Sequence, residues 1–100
     1  MAEKMAVDHD RIADFCRRWK VKELALFGSV LREDFTPESD VDVLVTFEPG
    51  EQWDLFDIVA MKKELGGIFG REVDLVLRES LVNPFRRHRI LETKQVIHVA

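Results

Sequence analysis

Apolar positions along the chain fall into runs of two periods. From residue 8 to 20, Ile12, Phe15, Cys16 and Trp19 recur at three- and four-residue steps, which predicts an amphipathic helix capped by Asp8. Val21 to Phe27 reads as a strand, apolar on both faces from Leu24 onward and so covered on both sides. Gly28-Ser29 ends it, Val30-Leu31-Arg32 forms a short helical turn, and Glu33 to Ser39 is a polar loop containing Pro37. Asp42 to Phe47 is a second strand, stopped by Glu48-Pro49-Gly50. Leu55, Ile58, Met61 and Leu65 share one side of a second helix, which ends at Gly66-Gly67 or continues through Ile68-Phe69 to a cap at Gly70. Glu72 to Leu77 is a third strand. Asn83-Pro84 starts a third helix running to about Glu92, and Val96 to Val99 is a short last strand.

The second and third strands are joined by a helix, which favours a right-handed parallel crossover. If Gly28-Ser29 and the start of the second strand meet, the first two strands are antiparallel neighbours. Together these imply an α/β (α+β) fold, a small mixed β-sheet with flanking helices. One hundred residues allow one compact domain, 1–100, with a small core. No apolar run approaches the ~20 residues of a membrane span, and the lone Cys16 cannot form an internal disulfide. A reduced, cytoplasmic setting is the default expectation.

Formal net charge is −4, which disfavours non-specific binding to nucleic acid. The charge is unevenly spread. Nine acids and no Lys or Arg occupy residues 33–57, whereas Arg86-Arg87-His88-Arg89 is basic. On the third helix the expectation is that Phe85, Ile90 and Leu91 cover the sheet while the charges face solvent.

Three acids interrupt or open apolar strands: Asp40 and Asp42 before Val43-Leu44-Val45, and Asp74 within Val73-Asp74-Leu75-Val76-Leu77. Unpaired carboxylates in such settings cost several kcal/mol, and a cation offsets that cost. Asp40 and Asp42, two residues apart on a strand, point to one face. Mg²⁺ fits two close carboxylates, because it takes hard oxygen ligands and completes its shell with water and phosphates. Asp74 adds a third oxygen or accepts a proton, with Glu72 competing for that role on the same face. Gly28-Ser29 offers a turn whose backbone approaches a phosphate closely, and Arg32 lies one helical turn further on. Singly, each piece has an ordinary explanation: a common turn, a surface acid pair, a solvated arginine. Their combination at this spacing is far more specific.

The arrangement Gly28-Ser29, ten residues, Asp40-x-Asp42 resembles the signature of the polymerase-beta-like nucleotidyltransferase superfamily, and the short length makes the chain similar to minimal nucleotidyltransferases of the MNT antitoxin type. Gly70-Arg71-Glu72-Val73-Asp74 resembles the segment carrying the third acid, which favours Asp74 over Glu72; Asn83-Pro84 through Ile90-Leu91 resembles the closing helix. The resemblance implies the nucleotidyltransferase palm fold, ATP as substrate and two Mg²⁺ ions. It implies Asp40, Asp42 and Asp74 as catalytic metal ligands, with Gly28, Ser29 and Arg32 holding the nucleoside triphosphate. It also implies a hetero-oligomer with a HEPN-domain ribonuclease toxin, neutralised by binding and by transfer of AMP to a tyrosine. The chain has no tyrosine, so such an acceptor lies on another chain. Two alternatives stay open: neutralisation by binding alone, and a small-molecule or RNA acceptor presented by another subunit.

Overall fold

The computed structural model describes residues 7–31, 36 and 38–100. The elements run α1 (His9–Trp19), β1 (Val21–Phe27), a 3₁₀ turn (Gly28–Leu31), β2 (Val41–Phe47), α2 (Leu55–Phe69), β3 (Val73–Leu77), a second 3₁₀ turn (Arg78–Ser80), α3 (Pro84–Thr93) and β4 (Gln95–Val99). The strands form one sheet in the order β3-β2-β1-β4. β2 and β3 are parallel, as their connecting helix predicts, and β1 is antiparallel to β2, as expected if Gly28-Ser29 meets the start of the second strand. β1 is also antiparallel to β4, a pairing the sequence pattern did not assign. No described helix is long and apolar enough to cross a membrane.

Alternation along the central strands sorts side chains between two cores. Leu24 and Leu26 of β1, Val41, Val43 and Val45 of β2 and Val73 of β3 face α1 and α2, where they meet Ile12, Phe15, Met61 and Leu65. Complete burial of each such side chain contributes about 1.5–3 kcal/mol, so this face carries most of the stability. Ala25, Phe27 and Leu44 point the other way and meet Leu81 and Ile90, with Ile90 supplied by α3. That second core is smaller. It leaves the end of the sheet where β1 finishes and β2 begins only partly covered.

Local signals set the helix boundaries. The Asp8 carboxylate accepts the Arg11 N–H at 3.2 Å, capping α1. Asp54 and Asp57 form a reciprocal capping box at the start of α2. α2 does not stop at Gly66-Gly67, because Phe69, further along, is buried in the core. Gly70 (φ +69°) ends it instead, its N–H donating to the Gly66 carbonyl at 2.8 Å. Asn83 caps α3 by accepting the N–H groups of Phe85 and Arg86, with Pro84 in the first turn. Phe85 departs from expectation. It is 85% exposed, so the sheet-facing side of α3 is carried by Ile90 with half-buried Leu91.

α1 and α2 are also linked by charge. Arg18 of α1 bonds Asp14 on its own helix and reaches across to Glu64 of α2, which also accepts the Trp19 indole N–H at 3.1 Å. The Arg18 hydrogen bond is the largest cause holding the Glu64 carboxyl below its usual value of 4.5. A carboxyl with a depressed folded pKa stabilises the fold above its unfolded pKa and loses that contribution as pH falls through the folded value. Both side chains are partly solvated, which limits the pair to about 1 kcal/mol. Glu64→Gln is therefore expected to lower stability by up to about 1 kcal/mol at pH 7. The gap from the parent protein should shrink below pH 4.5, as measured by urea unfolding across that range.

Candidate active site

The end of β1 meets the start of β2 through one carboxylate. Phe27 pairs with Asp42 in the antiparallel register, so the chain turns at Gly28 directly beside Asp42. Gly28 has φ +65°, and a Cβ added there would stand 2.5 Å from Asp42 Oδ2. Both the backbone angle and the contact require glycine. Ser29 then directs two donors at the same oxygen: its N–H at 3.0 Å and its hydroxyl at 3.1 Å. The hydroxyl also lies 2.7 Å from the Asp40 carbonyl. Ser29 holds a single hydroxyl proton, so these are alternative directions for one donor. The sequence suggests a turn whose donors face an anion from outside. In this state they face the protein's own Asp42.

Asp74 arrives by the parallel register, in which it is the direct partner of Asp42. Val41, Val43 and Val73 belong to the α1/α2 core, so Asp42 and Asp74 share the opposite face. Asp40 lies just before β2 and is exposed, as is Asp74. Glu72, the competing acid, lies outside β3; its carbonyl accepts the Val41 N–H at 3.0 Å and so fixes where the parallel pairing begins. Arg32 lies outside the described residues.

A cavity of about 580 Å³ opens beside this edge, lined by Gly28, Ser29, Asp42, Arg86, Arg89 and Thr93 among others. Asp40 and Asp74 are not in its wall. Arg86 and Arg89 are exposed, as expected of the charges of the third helix, and they also line this cavity. Arg86, Arg89, Ile90 and Thr93 lie at i, i+3, i+4 and i+7, one helical face, and burial of Ile90 turns that face toward β1 and β2. His88 instead pairs with Glu92 at 2.8 Å, and neither His88 nor Arg87 lines the cavity. The signal was present in the sequence as the spacing of Arg86 and Arg89 to Ile90. Without knowing that Ile90, rather than Phe85, is the anchor, the face could not be chosen.

From β3 toward β4 the site therefore runs acid, acid, turn, arginines. Its oxygen donors suit a hard divalent cation, and none of the Asp40, Asp42 or Asp74 carboxylates forms an ion pair among the described residues. Among the same residues, no group of three or more His, Cys, Asp or Glu side chains is arranged to hold a metal. Adjacent carboxylates repel, and Asp42 turns one oxygen to Ser29, so the three acids are neighbours without converging on one point. A pair such as Asp42 and Asp74 suffices for Mg²⁺, which needs only one or two carboxylates.

Comparison with known proteins gives a consistent result. The family described as nucleotidyltransferase domain matches residues 10–97. A relative from Methanocaldococcus jannaschii, proposed to be a protein adenylyltransferase, is 36% identical over 75 residues, 75% of each chain. A solved structure of a proposed minimal nucleotidyltransferase superposes with a TM-score of 0.69 at 32% identity, covering 91% of this chain and 88% of that one. The crystal structure of a toxin-antitoxin with AMP-PNP shares the fold at TM-score 0.72 and 19% identity, covering 94% of this chain and 75% of that one.

The glycine turn yields a test of the site's construction. Gly28→Ala is expected to destabilise the fold by about 1–2 kcal/mol for the left-handed backbone alone, with a further loss from the clash on Asp42. In an Asp42→Ala background the clash disappears, so the glycine substitution should cost measurably less. Chemical denaturation of the four proteins gives the coupling directly; additive effects would show that the Cβ does not meet the carboxylate.

Proposed function

The chain belongs to the nucleotidyltransferase domain family and is a nucleotidyltransferase, and from that premise we propose that it is an antitoxin-type protein adenylyltransferase, moving AMP from ATP to a hydroxyl on a partner protein. The observation that carries this reading is Asp42, which is bonded beneath the Gly28-Ser29 turn, pairs in register with Asp74 and itself lines a cavity of about 580 Å³. The description of the Methanocaldococcus jannaschii relative as a protein adenylyltransferase supports the acceptor class. A structural neighbour crystallised as a toxin-antitoxin with AMP-PNP supports the nucleotide and the biological setting.

In this reading the chain works as one domain, and Asp40, Asp42 and Asp74 are its catalytic carboxylates. An acceptor oxygen bonds to the α-phosphorus as the bond to the β-phosphate bridge breaks. Pyrophosphate leaves, and Asp74 takes the hydroxyl proton. Mg²⁺ bound by these acids would neutralise charge on the phosphates and the attacking oxygen. Ser29 orients Asp42, Gly28 permits the close approach, and Arg32 adds charge beyond the turn. In the same reading the partner is a HEPN-domain toxin, and a tyrosine acceptor lies on that partner because this chain contains none.

A second reading, neutralisation by occlusion alone, draws on the apolar surface of α2, where Leu55 and Phe56 are 75% and 83% exposed. One experiment separates the two. The chain, its partner, ATP and Mg²⁺ are mixed and the partner is weighed by mass spectrometry. A gain of one AMP per modified site is expected, falling at least about a hundredfold with Asp42→Asn or Asp74→Asn. An unmodified partner that is still inhibited by an Asp40→Asn/Asp42→Asn protein would select occlusion.

A further inference from the structure

We propose that Arg86 and Arg89 of α3 grip the phosphate chain of the nucleoside triphosphate and carry the charge of the part that leaves as pyrophosphate. The inference rests on the nucleotidyltransferase reading above and assigns to these arginines a role that the signature residues do not cover. It starts from which donors are available. In the cavity beside Asp42, the Ser29 N–H and hydroxyl are directed at Asp42 and at the Asp40 carbonyl. The Thr93 hydroxyl is bonded to the Arg89 carbonyl at 2.7 Å. The uncommitted side-chain donors in that wall are the two guanidinium groups, neither of which forms an ion pair among the described residues. Two cations face one carboxylate there, in a chain whose net charge is −4. Such a concentration of positive charge in an acidic protein suits an anion rather than a neutral ligand.

Position along the sheet selects which part of the nucleotide lies there. The acids occupy β3 and the start of β2, Gly28-Ser29 follows β1, and the arginines stand beyond the turn on the β1 and α3 side. A triphosphate whose α-phosphorus lies at Asp42, near the acids that serve the attacking oxygen, runs its remaining phosphates along the cavity toward α3. Guanidinium groups at i and i+3 lie on one helical face, and each carries a fork of N–H donors suited to phosphate oxygens. Transfer moves negative charge onto the leaving pyrophosphate, so cations placed there stabilise the transition state more than the bound substrate. Arg87, one residue from Arg86 but outside the cavity, supplies an internal control.

The test is titration calorimetry with ATP and Mg²⁺, repeated with inorganic tripolyphosphate as competitor, on the parent chain and on Arg86→Ala/Arg89→Ala, Arg86→Lys/Arg89→Lys and Arg87→Ala proteins. Both side chains are exposed, so truncation should leave the melting temperature unchanged. The double alanine protein is expected to lose affinity for ATP by about a hundredfold or more, the lysine protein by less, and Arg87→Ala by no more than about twofold. Tripolyphosphate should displace ATP from the parent chain. Parent-like ATP binding by the double alanine protein, or tripolyphosphate that fails to compete, would overturn the inference while leaving the transferase reading standing. A parent chain that binds no ATP at all would overturn both.

Discussion

The Asp42 carboxylate is the contact on which the candidate active edge of this molecule depends. One of its oxygens receives the Ser29 N–H and hydroxyl and lies where any Cβ on residue 28 would have to go. The turn after β1, the start of β2 and the left-handed backbone at Gly28 are thus parts of one constraint. A larger residue at 28 would move the carboxylate. A register slip in β2 would turn Asp42 into the α1/α2 core and Val43 out of it. The apolar alternation that stabilises the sheet therefore also aims the acid.

That coupling explains the division of labour between the faces. The α1/α2 side is packed by large aliphatic and aromatic residues and reinforced by the Arg18–Glu64 link, so it holds the sheet rigid. The α3 side has a small core, Ala25, Phe27, Leu44, Leu81 and Ile90, and opens at one end into the cavity that carries Asp42, Arg86 and Arg89. A site built at the edge of a rigid sheet needs few residues of its own, because the strand register supplies the spacing between Asp42 and Asp74. The arginines come at no cost in buried charge: they are on the exposed stretch of α3 and only their direction is fixed, by Ile90.

Much of this was legible in the chain. Helical and extended periods gave each helix and strand to within a residue or two, since the caps at Asp8, Asn83 and Gly70 act locally. The parallel pairing of β2 and β3 followed from their connecting helix, and the antiparallel pairing of β1 and β2 from bringing Gly28-Ser29 to the start of β2. The family signature reached the correct fold for the same reason: its spacing is the geometry of a strand, a turn and a second strand. Two things did not follow. Phe85 looked like an anchor of α3 and is exposed; of the two ends the pattern allowed for α2, Gly66-Gly67 or the cap at Gly70, only the packing of Phe69 selects the second. In both cases propensity was decided by which apolar residue found a partner across the core.

What the sequence determined by itself is the set of elements, most of their caps and the three acids in or beside the strands. These depend on interactions a few residues apart or on alternation within one strand. Only the tertiary structure decided that the donors of Ser29 turn inward to Asp42, that Asp40 and Asp74 stand outside the cavity wall, and that Arg86 and Arg89 stand within it. Those outcomes depend on how α3 lies across β1 and β2. The rotation of a helix on a sheet is set by the few side chains that fill the space beneath it, here Ile90 against Phe27 and Leu44, which no local pattern specifies.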